Sequence, residues 1–242
     1  MLENYSHFVS CSCFLIKWAS WHQRLSGNCK IRMPEFNIHC VDCTRLASHL
    51  AHVRERFNGY HGRPVAPFGD PQARLLIVGL APGMHGANRS GRPFTGDFAG
   101  ILLYQMLHKH GLASQAEAVS RDDGLVLHDC RITNAVKCLP PENKPTTEEI
   151  RICNRYLQTE LAGMPENALI LALGCVAHKS VLQAFTLKQA EFDFAHAAEH
   201  SLPNGMTLLD SYHCSRYNTQ TRRLTPAMFD TVVARARALL TR

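Results

Sequence analysis

The sequence contains no segment that resembles a secretory signal or a membrane span. Its opening residues, MLENYSHFV, are polar, whereas a signal peptide starts with a basic segment followed by an apolar run. The mildly apolar stretch 9–21 is interrupted by three serines and Lys17, and it is shorter than the roughly 20 residues that cross a bilayer as a helix. We therefore expect a cytoplasmic protein with no membrane partner.

Two common nucleotide-binding motifs and all internal repeats are also missing. The glycine-rich segment 79–96 contains neither G-x-x-x-x-G-K-[ST] nor G-x-G-x-x-G. Their absence disfavours a site for nucleoside triphosphates or dinucleotides, and it weakens the case for a nucleotide hydrolase. The chain shows no low-complexity segment, so its whole length after the first residues can belong to a packed domain.

Cysteine and positive charge are what the chain has in excess. Ten cysteines are many for an intracellular chain of 242 residues. A chain of this length buries a sizeable core without disulfides, so we interpret the cysteines as reduced or metal-bound. Lys and Arg outnumber Asp and Glu by 26 to 20, a net charge of +6. This charge is compatible with a polyanionic partner and equally with an ordinary basic protein.

Strand and helix patterns alternate through most of the chain. Residues 1–35 show no sustained period, and we interpret them as an N-terminal extension, disordered or not translated, before one domain over 36–242. Apolar runs predict strands at 74–79, 131–137, 168–174 and 206–209. Helices are predicted at 98–110 after Asp97 and from the capping box Thr146–Glu149 to 161. Two more are predicted, one after the strand 168–174 as far as 185 and one from Thr225–Pro226 to the end. The pattern indicates an α/β fold whose parallel sheet is covered on both faces.

Three unusual segments each begin where a predicted strand ends. They read GLAPGMHGANRSGRPF, TNAVKC and SYHCSRYN. In open α/β sheets ligands bind beyond the carboxyl ends of the strands. We therefore expect the three segments to converge on one pocket.

Individual residues in these segments leave alternatives open. Phe94 lies between Pro93 and Thr95 in a glycine-rich loop, where its ring could stack on a base or pack in the core. His213 follows a strand together with three nearby arginines, and the arginines could hold phosphates or simply form a solvated turn. A lone histidine is more often structural than catalytic, but the position of His213 at a strand end favours a functional role.

Four cysteines are spaced like metal ligands. Cys40 and Cys43 form a C-x-x-C motif, and Cys138 and Cys153 form a second, wider pair. Four thiolates can hold zinc or an iron–sulfur cluster, and the spacing does not decide between the two metals or exclude a site without metal. Cys130, Cys175 and Cys214 fit better as small buried apolar residues.

Taken together, the three segments resemble the uracil-DNA glycosylase superfamily, specifically its family 5. GLAPGMHGANRSGRPFTGD resembles the family's first motif, DSYHCSRYNTQTRRLTP resembles the second, and NAVKCLPPENKPT resembles the segment between them. The resemblance covers residues 40–242. Family 4 typically carries an acidic residue in the first motif, and residues 79–83 contain none, which is the family 5 pattern.

The resemblance implies a fold, an activity and a cofactor. The fold is a three-layer α/β/α sandwich with a four-stranded, mostly parallel central sheet. The activity is that of a DNA repair glycosylase, a hydrolase that flips uracil, and also hypoxanthine or xanthine, out of double-stranded DNA and cuts the N-glycosidic bond, starting base excision repair. We expect the enzyme to act as a monomer and to carry a [4Fe–4S] cluster.

The resemblance also assigns residues to roles. The expected catalytic residues are Asn134 and His213. The expected substrate-binding residues are Gly79, Ala81, Pro82, Gly83, Met84 and Phe94. The expected DNA-binding residues are Arg216, Tyr217 and Asn218, and the expected cluster ligands are Cys40, Cys43, Cys138 and Cys153.

The sequence departs from the family at two positions. Cys214 follows His213 where proline is usual, and Thr44 follows Cys43 where proline is common. Because proline fixes the backbone, Cys214 could leave His213 less rigidly aimed. The alternative function, which this departure alone supports, is a non-catalytic, metal-stabilised module that binds nucleic acid.

Overall fold

A six-stranded sheet forms the centre of the computed structural model, which describes residues 35–241. In chain order the strands are β1 (Phe68–Gly69), β2 (Leu75–Gly79), β3 (Cys130–Asn134), β4 (Leu169–Leu173), β5 (Glu199–Ser201) and β6 (Thr207–Ser211). Their order across the sheet is β1-β3-β2-β4-β6-β5. The inner strands β3, β2, β4 and β6 are parallel, and β1 and β5 join the two edges in antiparallel orientation.

The prediction of an α/β sandwich is confirmed, but the strand number is corrected from four to six. The two additional strands are short edge strands, and the residues of β5 are only partly buried. Because neither has the apolar run of a buried strand, the sequence pattern does not reveal them. The predicted strand 131–137 also ends earlier, at Asn134, and residues 135–137 leave the sheet.

Helices cover both faces of the sheet. They are α1 (Thr44–Arg56), α2 (Ala87–Ser90), α3 (Phe98–Lys109), α4 (Thr147–Ala162), α5 (Cys175–Ala184), α6 (Arg216–Gln220) and α7 (Pro226–Leu240). Leu75 and Ile77 of β2 pack in one core cluster with residues of α3 and α7. The alternate residues of β2 point to the opposite face, where α5 lies against β2 and β4.

Side-chain caps start three of these helices as predicted. The Asp97 carboxylate accepts a hydrogen bond from the Gly100 backbone at the start of α3. Thr146 and Glu149 form the reciprocal capping box of α4, and Thr225 caps α7 ahead of Pro226. Each such cap stabilises its helix by about 1 kcal/mol.

Helix α1 packs away from the main core. Its buried residues Leu46, Leu50 and Val53 form a separate apolar cluster with the segment after β3 and with α4, through Val136 and Tyr156. This cluster brings the N-terminal cysteine pair close to the segment that follows Asn134.

The predicted N-terminal extension and the membrane prediction have different outcomes. The predicted extension, 1–35, lies outside the described residues apart from Glu35, and its assignment stays a prediction. Within residues 35–241 none of the helices has both the length and the apolar composition that a membrane span requires.

Candidate active site

The segments that follow the four parallel strands enclose a cavity of about 540 Å³ at the carboxyl ends of these strands. The cavity is within the size range typical of small-molecule sites. Among its lining residues are seven of the sequence-predicted ones: Ala81, Gly83, Phe94, Asn134, His213, Arg216 and Asn218. The segments after β2, β3 and β6 therefore meet, as their positions at strand ends predict.

Gly79 lies behind the cavity wall and allows two of these side chains to meet. It pairs with Asn134 in the register of β2 and β3. A Cβ atom at Gly79 would lie 2.7 Å from Cζ of Phe94 and would also overlap Oδ1 of Asn134. Only glycine therefore fits between the Asn134 amide and the Phe94 ring.

Phe94 belongs to the core and to the cavity at once. Its ring is 6% exposed and packs in the main core cluster, while one part of it lines the cavity. The backbone of Phe94 has φ of 53°, a left-handed conformation that is rare for residues other than glycine. Strain of this kind concentrates at functional sites. The two interpretations of Phe94 in the sequence are thus compatible.

His213 lies beside Phe94 on the cavity wall. The two rings stack with their centroids 6.0 Å apart and an interplanar angle of 28°. Burial lowers the pKa of His213 to about 4, so its imidazole is neutral at pH 7. Nδ1 of His213 is buried and has no hydrogen-bond partner among the described residues.

Asn134 lines the same cavity and carries a second unpartnered atom. The residue is 4% exposed, and its Oδ1 is buried without a hydrogen-bond partner in the described part of the chain. Leaving a buried polar atom unsatisfied costs about 1–3 kcal/mol. Two such atoms on one cavity, beside an aromatic ring, are the arrangement expected of a site that binds a polar, planar ligand.

Asp97 also lines the cavity, although the sequence indicates only its capping role clearly. Its Oδ1 accepts the hydrogen bond from Gly100 at the start of α3. Its carboxyl group lies over the first loop, where a Cβ atom at Gly86 would lie 2.6 Å from Cβ of Asp97. Burial raises the pKa of Asp97, and the carboxylate is the acidic group among the cavity-lining residues.

The segment after β6 is held by its own side chains. Nδ2 of Asn218 donates to the carbonyl oxygen of His213 over 2.8 Å, so Asn218 fixes the loop that carries the imidazole. The guanidinium of Arg216 lies 5.1 Å from the centroid of the Phe98 ring, at the rim of the cavity. Tyr217 points away from the cavity lining and is 72% exposed.

Besides Gly79, two predicted substrate-binding residues do not line the cavity. Pro82 is buried behind it. Met84 packs instead against the apolar cluster of α1, which includes the cysteines. The first loop therefore contacts the cavity through Ala81 and Gly83 and the cysteine region through Met84.

Further cavity-lining residues lie outside the set predicted from the sequence. Leu173 to Val176 contribute from the end of β4 and the start of α5, and Phe194 and Tyr212 form an aromatic wall with a centroid distance of 6.1 Å. Phe194 lies in a segment without apolar period, so no signal in the sequence identifies it.

The four predicted cluster ligands surround a second, small cavity. Cys40, Cys43, Cys138 and Cys153 all line it, together with Lys137 and Tyr156. Cys138 and Cys153 are buried, and Cys40 and Cys43 are partly buried. The cavity joins the start of α1, the segment after β3 and the first half of α4.

Hydrogen-bond donors point at the sulfur atoms of this cavity. The Lys137 backbone N–H donates to Sγ of Cys153 over 3.3 Å, and Nη2 of Arg155 lies 3.7 Å from Sγ of Cys40. Arg155 is itself oriented by an ion pair with Asp42. Donors of this kind orient cysteine ligands and stabilise the charge on metal-bound sulfur, although burial raises the pKa of the free Cys153 thiol.

The sulfur atoms are further apart than in a zinc site. Among the described residues, no three of the cysteine sulfurs lie mutually within 4.8 Å. Four thiolates on one zinc ion, at about 2.3 Å from the metal, are about 3.8 Å from one another. The sulfur positions therefore do not match a tetrahedral zinc site, and by themselves they identify no other metal group.

Comparison with known proteins identifies relatives over most of the chain. Residues 66–237 match the family model described as the uracil DNA glycosylase superfamily. A type-5 uracil-DNA glycosylase of Thermus thermophilus is 48% identical over 205 residues, which are 83% of this chain and 93% of that protein. A type-5 enzyme of Pyrobaculum aerophilum is 40% identical over 83% of this chain and 89% of its own length. A type-4 enzyme of Archaeoglobus fulgidus is 36% identical over 50% of this chain and 53% of its own length.

Proposed function

The chain belongs to the uracil DNA glycosylase superfamily and is a uracil-DNA glycosylase, and from this premise we propose how its cavity excises a base. Such a hydrolase removes uracil from DNA as a step of DNA repair. The relatives' names set aside the non-catalytic module that Cys214 alone favoured, and Cys214 is buried in the core. One observation carries the mechanism: two residues with unpartnered buried polar atoms, Asn134 and His213, line one cavity beside the Phe94 ring.

The substrate is a nucleotide flipped out of double-stranded DNA. A base within a duplex is not accessible to a cavity in the protein, so the nucleotide must leave the stack. Arg216 at the rim and the exposed ring of Tyr217 are placed to follow the backbone and to fill the gap left in the duplex. The net charge of +6 supports a polyanionic partner. All the proposed groups come from one chain, so we propose that the enzyme acts as a monomer.

Asn134 and Phe94 recognise the extruded base. The Phe94 ring stacks on its face, which contributes about 1–3 kcal/mol. The free Oδ1 of Asn134 accepts a hydrogen bond from a ring N–H of the base. Uracil, hypoxanthine and xanthine each present a ring N–H beside a carbonyl oxygen, so the same amide can bind all three. The cavity of about 540 Å³ leaves space for the bicyclic purines.

His213 stabilises the departing base. Cleavage of the N-glycosidic bond leaves positive charge on the sugar and negative charge on the base. A neutral imidazole donates a hydrogen bond to that developing anion without first losing a proton, and the low pKa of His213 keeps it neutral. A preorganised donor of this type contributes about 10²–10³ in rate.

Asp97 stabilises the sugar cation and orients the attacking water. Oδ1 of its carboxylate caps α3, and the residue lines the cavity. The sequence pattern indicates only its capping role. Its place on the cavity wall supports the stronger role.

Cys40, Cys43, Cys138 and Cys153 hold a [4Fe–4S] cluster. The support is a set of four cysteines on one cavity, N–H donors at Cys40 and Cys153, and the resemblance of the cysteine spacing to family 5. When bound, the group supplies a covalent link between α1, α4 and the segment that follows Asn134. Met84 lets the first loop pack against the same region.

The experiment compares Asp97→Asn with wild type in single-turnover excision. Asparagine retains the helix cap but removes the charge, so we expect an intact fold and a rate reduced at least tenfold. The substrates are duplexes that contain uracil, hypoxanthine or xanthine, and a uracil-containing single strand. His128→Ala, at an exposed histidine outside the cavity, is the control. Excision confined to uracil, or faster in the single strand, would refute the broader substrate range or the duplex preference.

A further inference from the structure

A group of three metal-binding side chains lies apart from both the catalytic cavity and the cysteines. His178 of α5, His200 of β5 and Asp210 of β6 place one ligand atom each within 4.8 Å of the others. The side chains of His178 and Asp210 are 2% and 0% exposed, and that of His200 is 16% exposed. Neither the resemblance nor the proposed excision chemistry uses any of the three.

The contacts of His178 require a proton or a metal ion between its Nδ1 and Asp210. Its Nε2 lies 3.0 Å from the carbonyl oxygen of Phe192, which only accepts, so Nε2 carries the hydrogen of the neutral ring. Nδ1 then carries a lone pair, and it faces Oδ1 of Asp210 at 2.9 Å. Two groups of lone pairs at this distance repel unless a proton or a metal ion lies between them.

The surroundings fit a metal ion. A ligand histidine usually donates its other ring N–H to a carbonyl or carboxylate, as Nε2 of His178 does. Nε2 of His200 lies 3.2 Å from Oδ2 of Asp210, close to the separation of about 3.3 Å between ligands at about 2.0 Å from a tetrahedral zinc ion. The rings of Phe192 and Phe194 surround the histidines, and partly exposed His200 gives an ion access from solvent.

We propose that His178, His200 and Asp210 bind one zinc ion, with water as the fourth ligand. Two imidazoles and one carboxylate are a ligand set that zinc prefers. The ion ties α5 to the edge of the sheet and fixes the segment 192–198, whose backbone bonds to Asp210 through Ala197 and Ala198. Phe194 of this segment forms part of the catalytic cavity wall, so the ion stabilises that wall.

The test measures metal in the holoprotein produced with zinc in the medium. Iron and zinc are counted by mass spectrometry, and the zinc ligands are read by X-ray absorption. We expect about one zinc per chain, with nitrogen and oxygen neighbours at about 2.0–2.1 Å. His200→Ala and the isosteric Asp210→Asn should each lose the zinc and retain the iron. His196→Ala, at a neighbouring histidine outside the group, should retain both.

Three results would overturn the proposal. A folded wild type with no zinc would show that a shared proton holds His178 and Asp210 together. Sulfur neighbours at about 2.3 Å would place the zinc at the cysteines. Undiminished zinc in folded His200→Ala would exclude the group as the site. If the variants do not fold, the zinc content and neighbours of the wild type still decide the matter.

Discussion

The ammonium nitrogen of Lys137 lies 2.9 Å from the backbone carbonyl oxygen of Asn134 and donates a hydrogen bond to it. The same nitrogen forms an ion pair with Glu160 at 2.6 Å, and Lys137 is 1% exposed. The backbone N–H of Lys137 donates to Sγ of Cys153. One buried residue thus connects the cysteine cavity to the residue proposed to recognise the base.

Replacing Lys137 by methionine should lower both stability and excision. The substitution leaves Glu160 buried without its partner, which costs about 3–5 kcal/mol. It also frees the Asn134 backbone, so we expect the single-turnover rate constant to fall more than tenfold while the affinity for DNA changes little. Thermal unfolding and single-turnover excision measure the two effects separately.

The double variant Lys137→Met with Glu160→Gln is the control. Removing the unpaired charge should restore much of the lost stability, while the rate should stay low because Asn134 still lacks its donor. If the rate recovers together with the stability, Lys137 supports the fold alone and does not position Asn134.

Gly79→Ala should disable the site by steric overlap. The added methyl group would lie 2.7 Å from the Phe94 ring and would overlap the Asn134 amide, and both must move because the surrounding core is closely packed. We expect a stability loss of about 1–3 kcal/mol and at least a hundredfold slower excision. Gly163→Ala is the matched control, since its nearest atoms are 3.6 Å away; similar losses in both variants would contradict the argument.

The sequence predicts the central strands well because each is a continuous apolar run. Leu75–Gly79 and Leu169–Leu173 are fully buried strands, and their apolar runs indicate this directly. The strand ends also predict that Asn134 and His213 lie near one another. The edge strand Glu199–Ser201 could not be predicted, because its residues are partly exposed and no apolar run marks it.

The details of the site depend on contacts between distant residues. Nothing local in the sequence shows that Asn218 holds the His213 carbonyl. Likewise Phe194 and the group His178, His200 and Asp210 are distributed over separate segments without motif spacing. Such contacts follow from the order of strands in the sheet, which periodicity does not determine.

Cys138→Ser should remove the proposed cluster. The serine hydroxyl is a poorer ligand for iron than a thiolate, so iron content and visible absorption should fall sharply. The unfolding temperature should fall as well, because α1 would keep only its apolar contacts and the Arg45–Glu149 ion pair with α4. Cys175→Ser, at an exposed cysteine outside the cysteine cavity, should retain its iron. A colourless wild type with zinc and no iron, after purification without oxygen, would refute the cluster.

The low pKa of His213 predicts a specific dependence of stability on pH. In the unfolded chain the imidazole binds a proton as the pH falls through about 6.5, whereas in the folded protein it stays neutral down to about 4. Between these values the unfolded state binds more protons, so the free energy of unfolding decreases as the pH is lowered from about 6.5 to about 4. The contribution approaches about 3 kcal/mol.

His213→Asn removes this titration and isolates it. From pH 7 to pH 4.5 the wild type should lose roughly 6–12 °C more in unfolding temperature than the variant, since about 1 kcal/mol corresponds to about 2–4 °C for a domain of this size. Protonation of other groups affects the stability of both proteins equally, so it cancels in the difference between them. Parallel curves would mean that His213 is solvated and titrates normally, and a protonated imidazole would then face the departing base at mildly acidic pH.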